Sequence, residues 1–297
     1  MPRPKNFGAI DLMLELPGTG DMGVSAARRL TRDKGSKEFT NHPAEYMFKN
    51  AGGHGGGDVD PEAVLEMMDL YGVQMAQIAV SPRAPGIALE MIEKHPTRFF
   101  GEVYVDPNRG MEAVRDLELG ASLHPNIRAF SLMPCLMSPQ VPIDDKRVYP
   151  LYAKCIELDL AVNCLVGVPG PRVPFKCQHP ELIDEVAWFF PELKFVMRHG
   201  GDPWTDLCVK LLLKWPNVYY STSAWAPKHY PRNVLDFANK RGREKVMFAG
   251  YYPTLPYDRI FSEMDDLPLK DETWQPFLRD NAMRVYGLDK LLAAPEK

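Results

Sequence analysis

Residues 61–80 read PEAVLEMMDLYGVQMAQIAV, and this stretch combines two different periodicities. Its first half has apolar residues at helical spacing and begins with a proline, which suits the first turn of a helix. Gly72 and Val73 then lead into residues 75–80, an apolar run typical of a buried strand. The stretch therefore predicts a helix that is followed directly by a strand.

The same alternation of helix and strand recurs before and after this stretch. Eight strands joined by helices are the pattern of a parallel (β/α)₈ barrel of the TIM type, and 297 residues suit one such domain, covering 1–297. An open doubly wound sheet is the alternative, but no GxGxxG motif follows the first strand. The predicted strands are 9–16, 75–80, 99–105, 127–133, 161–167, 194–198, 218–221 and 245–249.

Two segments depart from the alternation. Residues 17–57 form a long insertion after the first strand, and a loop of this length inside a compact domain predicts a lid or a binding segment. It ends in a glycine cluster around His54. Residues 271–288 predict a closing helix that ends at Gly287 and serves in packing.

Composition and charge restrict the class of function. The net charge is −4, with 35 basic and 39 acidic residues interspersed, so nothing indicates a nucleic-acid partner. No apolar run reaches the roughly 20 residues that span a bilayer, and residues 1–8 lack the apolar run that is typical of a signal peptide. Five dispersed cysteines without a CxxC pair favour a reducing compartment. We expect a cytoplasmic protein with a small-molecule substrate.

Several short motifs resemble, in order, an amidohydrolase-related family that includes aminocarboxymuconate-semialdehyde decarboxylase and other decarboxylases, hydratases and hydrolases. The resemblance covers most of the chain from Glu62 onward. The motifs are MDLYGV at 68–73, HPTRF at 95–99, FPEL at 190–193, HGGDPW at 199–204, PNVY at 216–219 and NAMRV at 281–285.

The resemblance implies a divalent metal at the mouth of the barrel, held by His-x-His on the first strand, histidines after the fifth and often the sixth, and an aspartate after the eighth. Here the first strand reads IDLMLE at 10–15. Leu165 and Tyr251 stand where the ligands after the fifth and eighth strands are expected, and the histidine after the sixth strand is present as His199. A catalytic zinc needs about three protein ligands, but only Glu15 and His199 are good donors. We therefore predict no metal and no cofactor, with His54 as the one residue that a retained metal would recruit.

A narrower resemblance concerns VPGPRVP at 168–174, RHG at 198–200 and FAGY at 248–251. These are similar to members associated with 4-hydroxyphenyl-β-ketoacyl-CoA hydrolase activity, which implies a CoA thioester substrate in aromatic catabolism. Arg172 and Lys176 flank the loop after the fifth strand and would meet its phosphates, although ordinary solvated charges are the alternative. Trp225, Tyr252 and His54 complete the predicted substrate-binding residues.

The predicted catalytic residues are His199, Glu15 and Tyr251, which follow predicted strands as barrel active-site residues do. His199 or Glu15 would act as general base, and Tyr251 would donate a hydrogen bond to a developing oxyanion. The alternatives are a turn-capping histidine, an ion-paired glutamate and a packing tyrosine. Arg198 should point to the other side of its strand and form a structural ion pair, and Asp11 should serve in packing and hydrogen bonding.

These residues support three hypotheses about function. The first is a metal-independent hydrolase or lyase that cleaves a carbon–carbon bond next to a carbonyl, such as that of an aryl β-ketoacyl thioester. The second is a metal-dependent decarboxylase or hydrolase with atypical ligands, and the third is a non-catalytic binding barrel, because fold does not fix function. The Met-rich and Pro-rich insertion also suggests a homodimer.

Overall fold

The computed structural model describes residues 3–4, 8–16, 22–39, 44–47 and 60–292. Eight parallel strands follow one another in space in their order along the chain. The predicted TIM-type barrel is therefore confirmed. The strands are β1 (Ala9–Asp11), β2 (Val73–Val80), β3 (Phe99–Tyr104), β4 (Ile127–Leu132), β5 (Ala161–Leu165), β6 (Phe195–Arg198), β7 (Val218–Ser221) and β8 (Val246–Met247).

The first strand is shorter than the predicted 9–16, because the chain bends where the Asp11 carboxylate accepts the Met13 N–H at 2.9 Å. The residues after the bend then bond to the chain that follows β8. Tyr251 N–H donates to Met13 O, and Glu15 N–H donates to Tyr252 O, both at 2.9 Å. These bonds join the first and last strands, so they close the barrel at its carboxyl end.

Helices alternate with the strands as predicted. The helix expected before β2 ends at Gly72, whose φ of 69° is the left-handed conformation that glycine adopts most easily. Among the described residues, no helix combines the length and apolar composition needed to cross a membrane. The α-helices are α1 (Met22–Leu30), α2 (Lys34–Lys37), α3 (Ala63–Tyr71), α4 (Gly86–Lys94), α5 (Met111–Ser122), α6 (Tyr149–Glu157), α7 (Ile183–Phe189), α8 (Thr205–Lys214), α9 (Arg232–Ala238), α10 (Tyr257–Met264), α11 (Asp271–Gln275), α12 (Asn281–Tyr286) and α13 (Asp289–Leu292).

The barrel interior is a packed core. Apolar side chains of all eight strands, such as Ile10, Phe100 and Val196, form one buried cluster together with α12. A π-helical turn at Pro276–Asp280 joins α11 to α12, and α12 ends at Gly287 with φ 63°. The segment predicted as a closing helix therefore packs against the barrel interior.

The insertion after β1 contains α1 and α2, while residues 17–21, 40–43 and 48–57 lie outside the described part. Its described part is attached to the loop after β5. The Arg172 guanidinium lies 2.8 Å from the Asp33 carboxylate and 4.7 Å from the centre of the Tyr46 ring. Tyr46 OH also donates to Gly170 O at 2.7 Å. Since loops after parallel strands lie at the carboxyl end of a barrel, the insertion borders the mouth.

Candidate active site

His199 lies in the first turn after β6, where a 3₁₀ turn at His199–Gly201 replaces the strand. Its φ of 64° is unusual for a residue with a side chain. Ser223 Oγ accepts the His199 backbone N–H at 3.1 Å and lies 3.0 Å from the ring Nδ1. Because one buried hydroxyl contacts both the backbone and the ring, the orientation of the imidazole is defined.

Trp225 supports the same turn from the loop after β7. Its indole N–H donates to His199 O at 3.3 Å, and a Cβ on Gly200 would lie 2.4 Å from the indole nitrogen. Gly200 also has φ 81°, so both its conformation and its contact require glycine. Trp225 thus packs against the histidine turn, and its predicted substrate contact remains a prediction.

Tyr251 reaches His199 from the other side of the mouth. It follows β8 with φ 69° and is 8% exposed, and its ring meets the imidazole edge-on with centroids 5.6 Å apart. Burial and the negative charge of Glu15 raise the pKa of its phenol well above the usual value. The phenol therefore stays protonated at physiological pH and acts as a hydrogen-bond donor.

Glu15 completes the group from the segment after β1. Its half-buried side chain lies close enough for its charge to act on Tyr251. Leu165, at the end of β5, pairs in register with Arg198 and is 8% exposed. The structure thus brings the three predicted catalytic residues to one end of the barrel from three separate strands.

Asp11 is the last residue of β1 and is fully buried. Its carboxylate accepts the Gly250 N–H at 2.6 Å and the Tyr257 hydroxyl at 2.8 Å, in addition to the Met13 N–H. Burial raises the pKa of Asp11 to about 6, although these hydrogen bonds oppose the shift. A Cβ on Gly250 would lie 2.4 Å from the carboxylate, so the close approach requires glycine. Asp11 therefore holds in place the turn that carries Tyr251.

The remaining predicted binding residues lie farther out. Tyr252 stacks on Tyr257 with ring centroids 4.7 Å apart. Arg172 bonds to Asp33 and to Ser36 Oγ at 3.2 Å, and Lys176 is exposed in the turn Lys176–Gln178. Their contacts with a substrate remain predictions, and His54 lies outside the described residues.

Sequence reasoning missed Ser223 and the partners of Arg198 inside the barrel. The predicted ion pair of Arg198 is present, because its guanidinium lies 2.7 Å from the buried carboxylate of Glu102. Gln77 and Asn163 join the same network. The available signals were the hydroxyl residues at 221–223 and single polar residues within apolar strands, such as glutamate in FFGEVY at 99–104.

The described residues do not fit the metal that the sequence resemblance implies. Among them, no group of three His, Cys, Asp or Glu side chains lies close enough together to hold an ion. Met13, Leu165 and Tyr251 stand at three of the expected ligand positions, and neither a thioether nor an alkyl group binds hard divalent cations well.

A family model described as amidohydrolase matches residues 38–288. The chain belongs to the amidohydrolase family. This match confirms the predicted resemblance and assigns the chain to a family of enzymes. The comparison with curated proteins produced no significant match.

Solved structures show the same barrel at low sequence identity. An uncharacterized TIM-barrel protein from Bordetella bronchiseptica is 22% identical, with a TM-score of 0.71 over 94% of this chain and 98% of the other. The 5-carboxyvanillate decarboxylase of Novosphingobium aromaticivorans, complexed with manganese and a nitrobenzoic acid, is 16% identical, with a TM-score of 0.69 over 96% and 97%. A dihydroxybenzoic acid decarboxylase from Polaromonas sp., with manganese and 2-nitroresorcinol, is 14% identical, with a TM-score of 0.66 over 97% and 99%.

Proposed function

We propose that this amidohydrolase-family chain cleaves a carbon–carbon bond next to a carboxyl or carbonyl group of a small aromatic substrate. The reaction would take place at the barrel mouth between His199, Tyr251 and Glu15. The main support is the edge-on packing of the His199 and Tyr251 rings, whose centroids lie 5.6 Å apart. The two rings meet at the carboxyl end of the barrel, where barrel enzymes carry their active sites. The contact pairs a proton-transfer group with a protonated hydrogen-bond donor.

Two forms of the reaction need the same pair of groups. In decarboxylation, a proton adds to the ring carbon that bears the carboxylate, and the bond to the carboxylate breaks to release carbon dioxide. In hydrolysis of a β-ketoacyl thioester, water adds to the ketone, the adjacent carbon–carbon bond breaks, and the thioester enolate takes up a proton. Each form requires a general acid–base. Hydrolysis also requires a donor to the oxyanion that develops when water adds to the ketone, and in decarboxylation the same donor would bind an oxygen atom of the aromatic acid.

The residues divide these tasks by their chemistry. His199 moves the proton, because its ring is oriented by Ser223 and imidazole exchanges protons near neutral pH. Tyr251 donates a hydrogen bond to the substrate oxyanion, because its raised pKa keeps the phenol protonated. Glu15 contributes a carboxyl group near Tyr251 at the same end of the barrel.

An aromatic carboxylic acid is better supported as the substrate than a CoA thioester. Two solved relatives are decarboxylases named for aromatic acids. In addition, Arg172 already bonds to Asp33, so one of the two charges expected to bind phosphates has a partner. The CoA thioester, the cytoplasmic location and the homodimer therefore remain predictions from the sequence.

The proposed reaction has two versions, one metal-independent and one metal-dependent. The donor chemistry of the described residues supports a metal-independent reaction. Manganese in the solved decarboxylases favours the alternative, a metal-dependent decarboxylase or hydrolase with atypical ligands. Turnover that a chelator abolishes and manganese restores would establish the alternative.

The test of the function is a substrate panel with a matched pair of histidine variants. The panel contains 5-carboxyvanillate, dihydroxybenzoates and an aryl β-ketoacyl thioester, and chromatography follows product formation. We expect turnover of an aromatic acid that falls by about 100-fold or more in His199→Gln. His95→Gln is the control, because His95 pairs with Glu62 outside the proposed site. No turnover on any member of the panel, or equal rates in both variants, would contradict the proposal.

A further inference from the structure

Four polar side chains form a connected layer inside the barrel: Gln77 on β2, Glu102 on β3, Asn163 on β5 and Arg198 on β6. Arg198 is only 1% exposed. Its guanidinium donates to Glu102 Oε1 and to Leu12 O, each at 2.7 Å, and also to Gln77 Oε1. One cation thus binds oxygen atoms of β2, of β3 and of the segment after β1.

The other bonds of the layer show how completely these oxygens are used. Asn163 Nδ2 donates to Glu102 Oε2 at 2.7 Å and to Gln77 Oε1 at 3.1 Å, and Tyr286 OH donates to Asn163 Oδ1 at 2.6 Å. Carboxylate, amide and carbonyl oxygens are also the donors that hard divalent cations prefer. Here a guanidinium binds them instead.

The position of the guanidinium connects this layer to the missing metal ligands. Leu12, whose carbonyl accepts from Arg198, directly precedes Met13, the first of the two first-strand positions where the family resemblance implies ligands. Arg198 itself directly precedes His199. A fixed positive charge therefore lies just beneath the strand ends where a metal would be expected.

We propose that Arg198 is the resident cation of this barrel. It joins the segment after β1 to β2 and β3 through their oxygens, and it excludes a divalent ion from this end of the barrel. The first physical reason is that like charges repel strongly in a poorly solvated interior. The second is that the ion pair with Arg198 occupies the buried carboxylate of Glu102, which is then not free to bind a metal.

A purely structural ion pair makes a different prediction. It would destabilise the fold when broken, because Glu102 would remain as an unpaired buried charge, but it would not change the response to metals. A resident cation, once removed, should leave an oxygen-lined site that another cation can fill. The inference does not depend on the proposed reaction, since it is measured by stability and metal content rather than by turnover.

The experiment compares wild type, Arg198→Ala and the control Arg128→Ala. Arg128 is a second largely buried arginine, which bonds to Tyr286 O and Asp159 at the opposite end of the barrel. Each protein is incubated with millimolar manganese chloride and dialysed, and bound metal is counted by mass spectrometry. Thermal unfolding is measured with manganese, with a chelator and with methylguanidinium.

We expect wild type to retain less than about a tenth of an ion per chain, with a midpoint that neither manganese nor the chelator changes. The midpoint of Arg198→Ala should fall by about 5–10 °C and recover at least half of that loss with manganese or methylguanidinium. Arg128→Ala should not recover. About one tightly held manganese per wild-type chain, or equal responses of the two variants, would overturn the proposal.

If Arg198→Ala does not fold, Arg198→Gln and Arg198→Lys replace it. The glutamine variant lacks the charge and should gain a stabilising response to manganese. The lysine variant keeps the charge and should not. Identical responses of these two variants would also overturn the proposal, and the wild-type metal count is decisive by itself in either case.

Discussion

At the scale of single residues, Tyr251 stands where the sequence resemblance implies an aspartate, and this difference has a clear chemical consequence. A carboxylate at this position would accept hydrogen bonds or bind a cation, whereas the buried phenol stays protonated and donates. Its edge contact with His199 places this donor beside a group that transfers protons. A tyrosine at this position therefore favours hydrogen-bond donation at the mouth over cation binding.

We expect Tyr251→Phe to slow turnover by about 100-fold, because one oxyanion donor is worth on the order of 3 kcal/mol in the barrier. The fold should be retained, since phenylalanine preserves the packing of the ring. The measurement is kcat on the aromatic acid found with the substrate panel. Tyr149→Phe, on the outer helix α6, is the control and should keep wild-type kcat. A near-normal rate in Tyr251→Phe would exclude the donor role.

At the scale of secondary-structure elements, Asp11 joins the end of β1 to the turn after β8 and to α10. It does so through the backbone N–H groups of Met13 and Gly250 and the hydroxyl of Tyr257. Since β1 and β8 are the first and last strands, this carboxylate stabilises the closed barrel at the place where Glu15 and Tyr251 meet. Its role is structural, as the sequence predicted, but it also positions the site.

The pKa of Asp11 predicts a pH dependence of stability. Its folded-state pKa is about 6 and its ordinary value is 3.8, so between these values the folded protein binds the proton more tightly than the unfolded chain does. The stabilising contribution is therefore complete below about pH 4, is lost as the pH rises through about 6, and does not change further above that. Asp11→Asn lacks this titration.

We expect the stability of wild type relative to Asp11→Asn to decrease by about 2–3 kcal/mol between pH 4 and pH 7. Urea unfolding of both proteins at several pH values measures the difference. Parallel curves for the two proteins across this range would show that Asp11 has an ordinary pKa.

At the scale of the whole molecule, α12 closes one end of the barrel while the loops after the strands build the site at the other. Tyr286 connects the two, because it packs against Phe100 with ring centroids 5.4 Å apart and its hydroxyl donates to Asn163 inside the barrel. Asn163 in turn bonds to Glu102, the partner of Arg198. The closing segment is thus linked to the polar layer beneath the mouth.

Tyr286→Phe should reduce the free energy of unfolding by about 1–3 kcal/mol, because it leaves the buried Asn163 oxygen without its 2.6 Å hydrogen bond. The value of kcat should change by less than about threefold, since Tyr286 lies at the end of the barrel away from His199. Chemical denaturation and steady-state kinetics measure the two effects. A loss of kcat without a loss of stability would contradict a structural role for this hydroxyl.

The sequence by itself determined the barrel, the approximate bounds of its strands, the family, and the placement of His199, Tyr251 and Glu15 after strand ends. These features depend on local periodicity and on the order of short motifs, which a chain displays without being folded. The end of β1 at Asp11 was not predicted, because the residues after the bend at Met13 bond to residues after β8, which are distant in the sequence.

Only the tertiary structure decided which groups meet. Ser223 lies 24 residues from His199, Glu102 lies 96 residues from Arg198, and Gly250 lies 239 residues from Asp11. The first contact joins the ends of the neighbouring strands β6 and β7, whereas the other two bring together residues of strands that are distant in the sequence. No local pattern specifies which inward-facing polar residues of distant strands will share a layer. The positions of the candidate residues after strand ends could therefore be predicted, but their hydrogen bonds and the buried contacts of Arg198 could not.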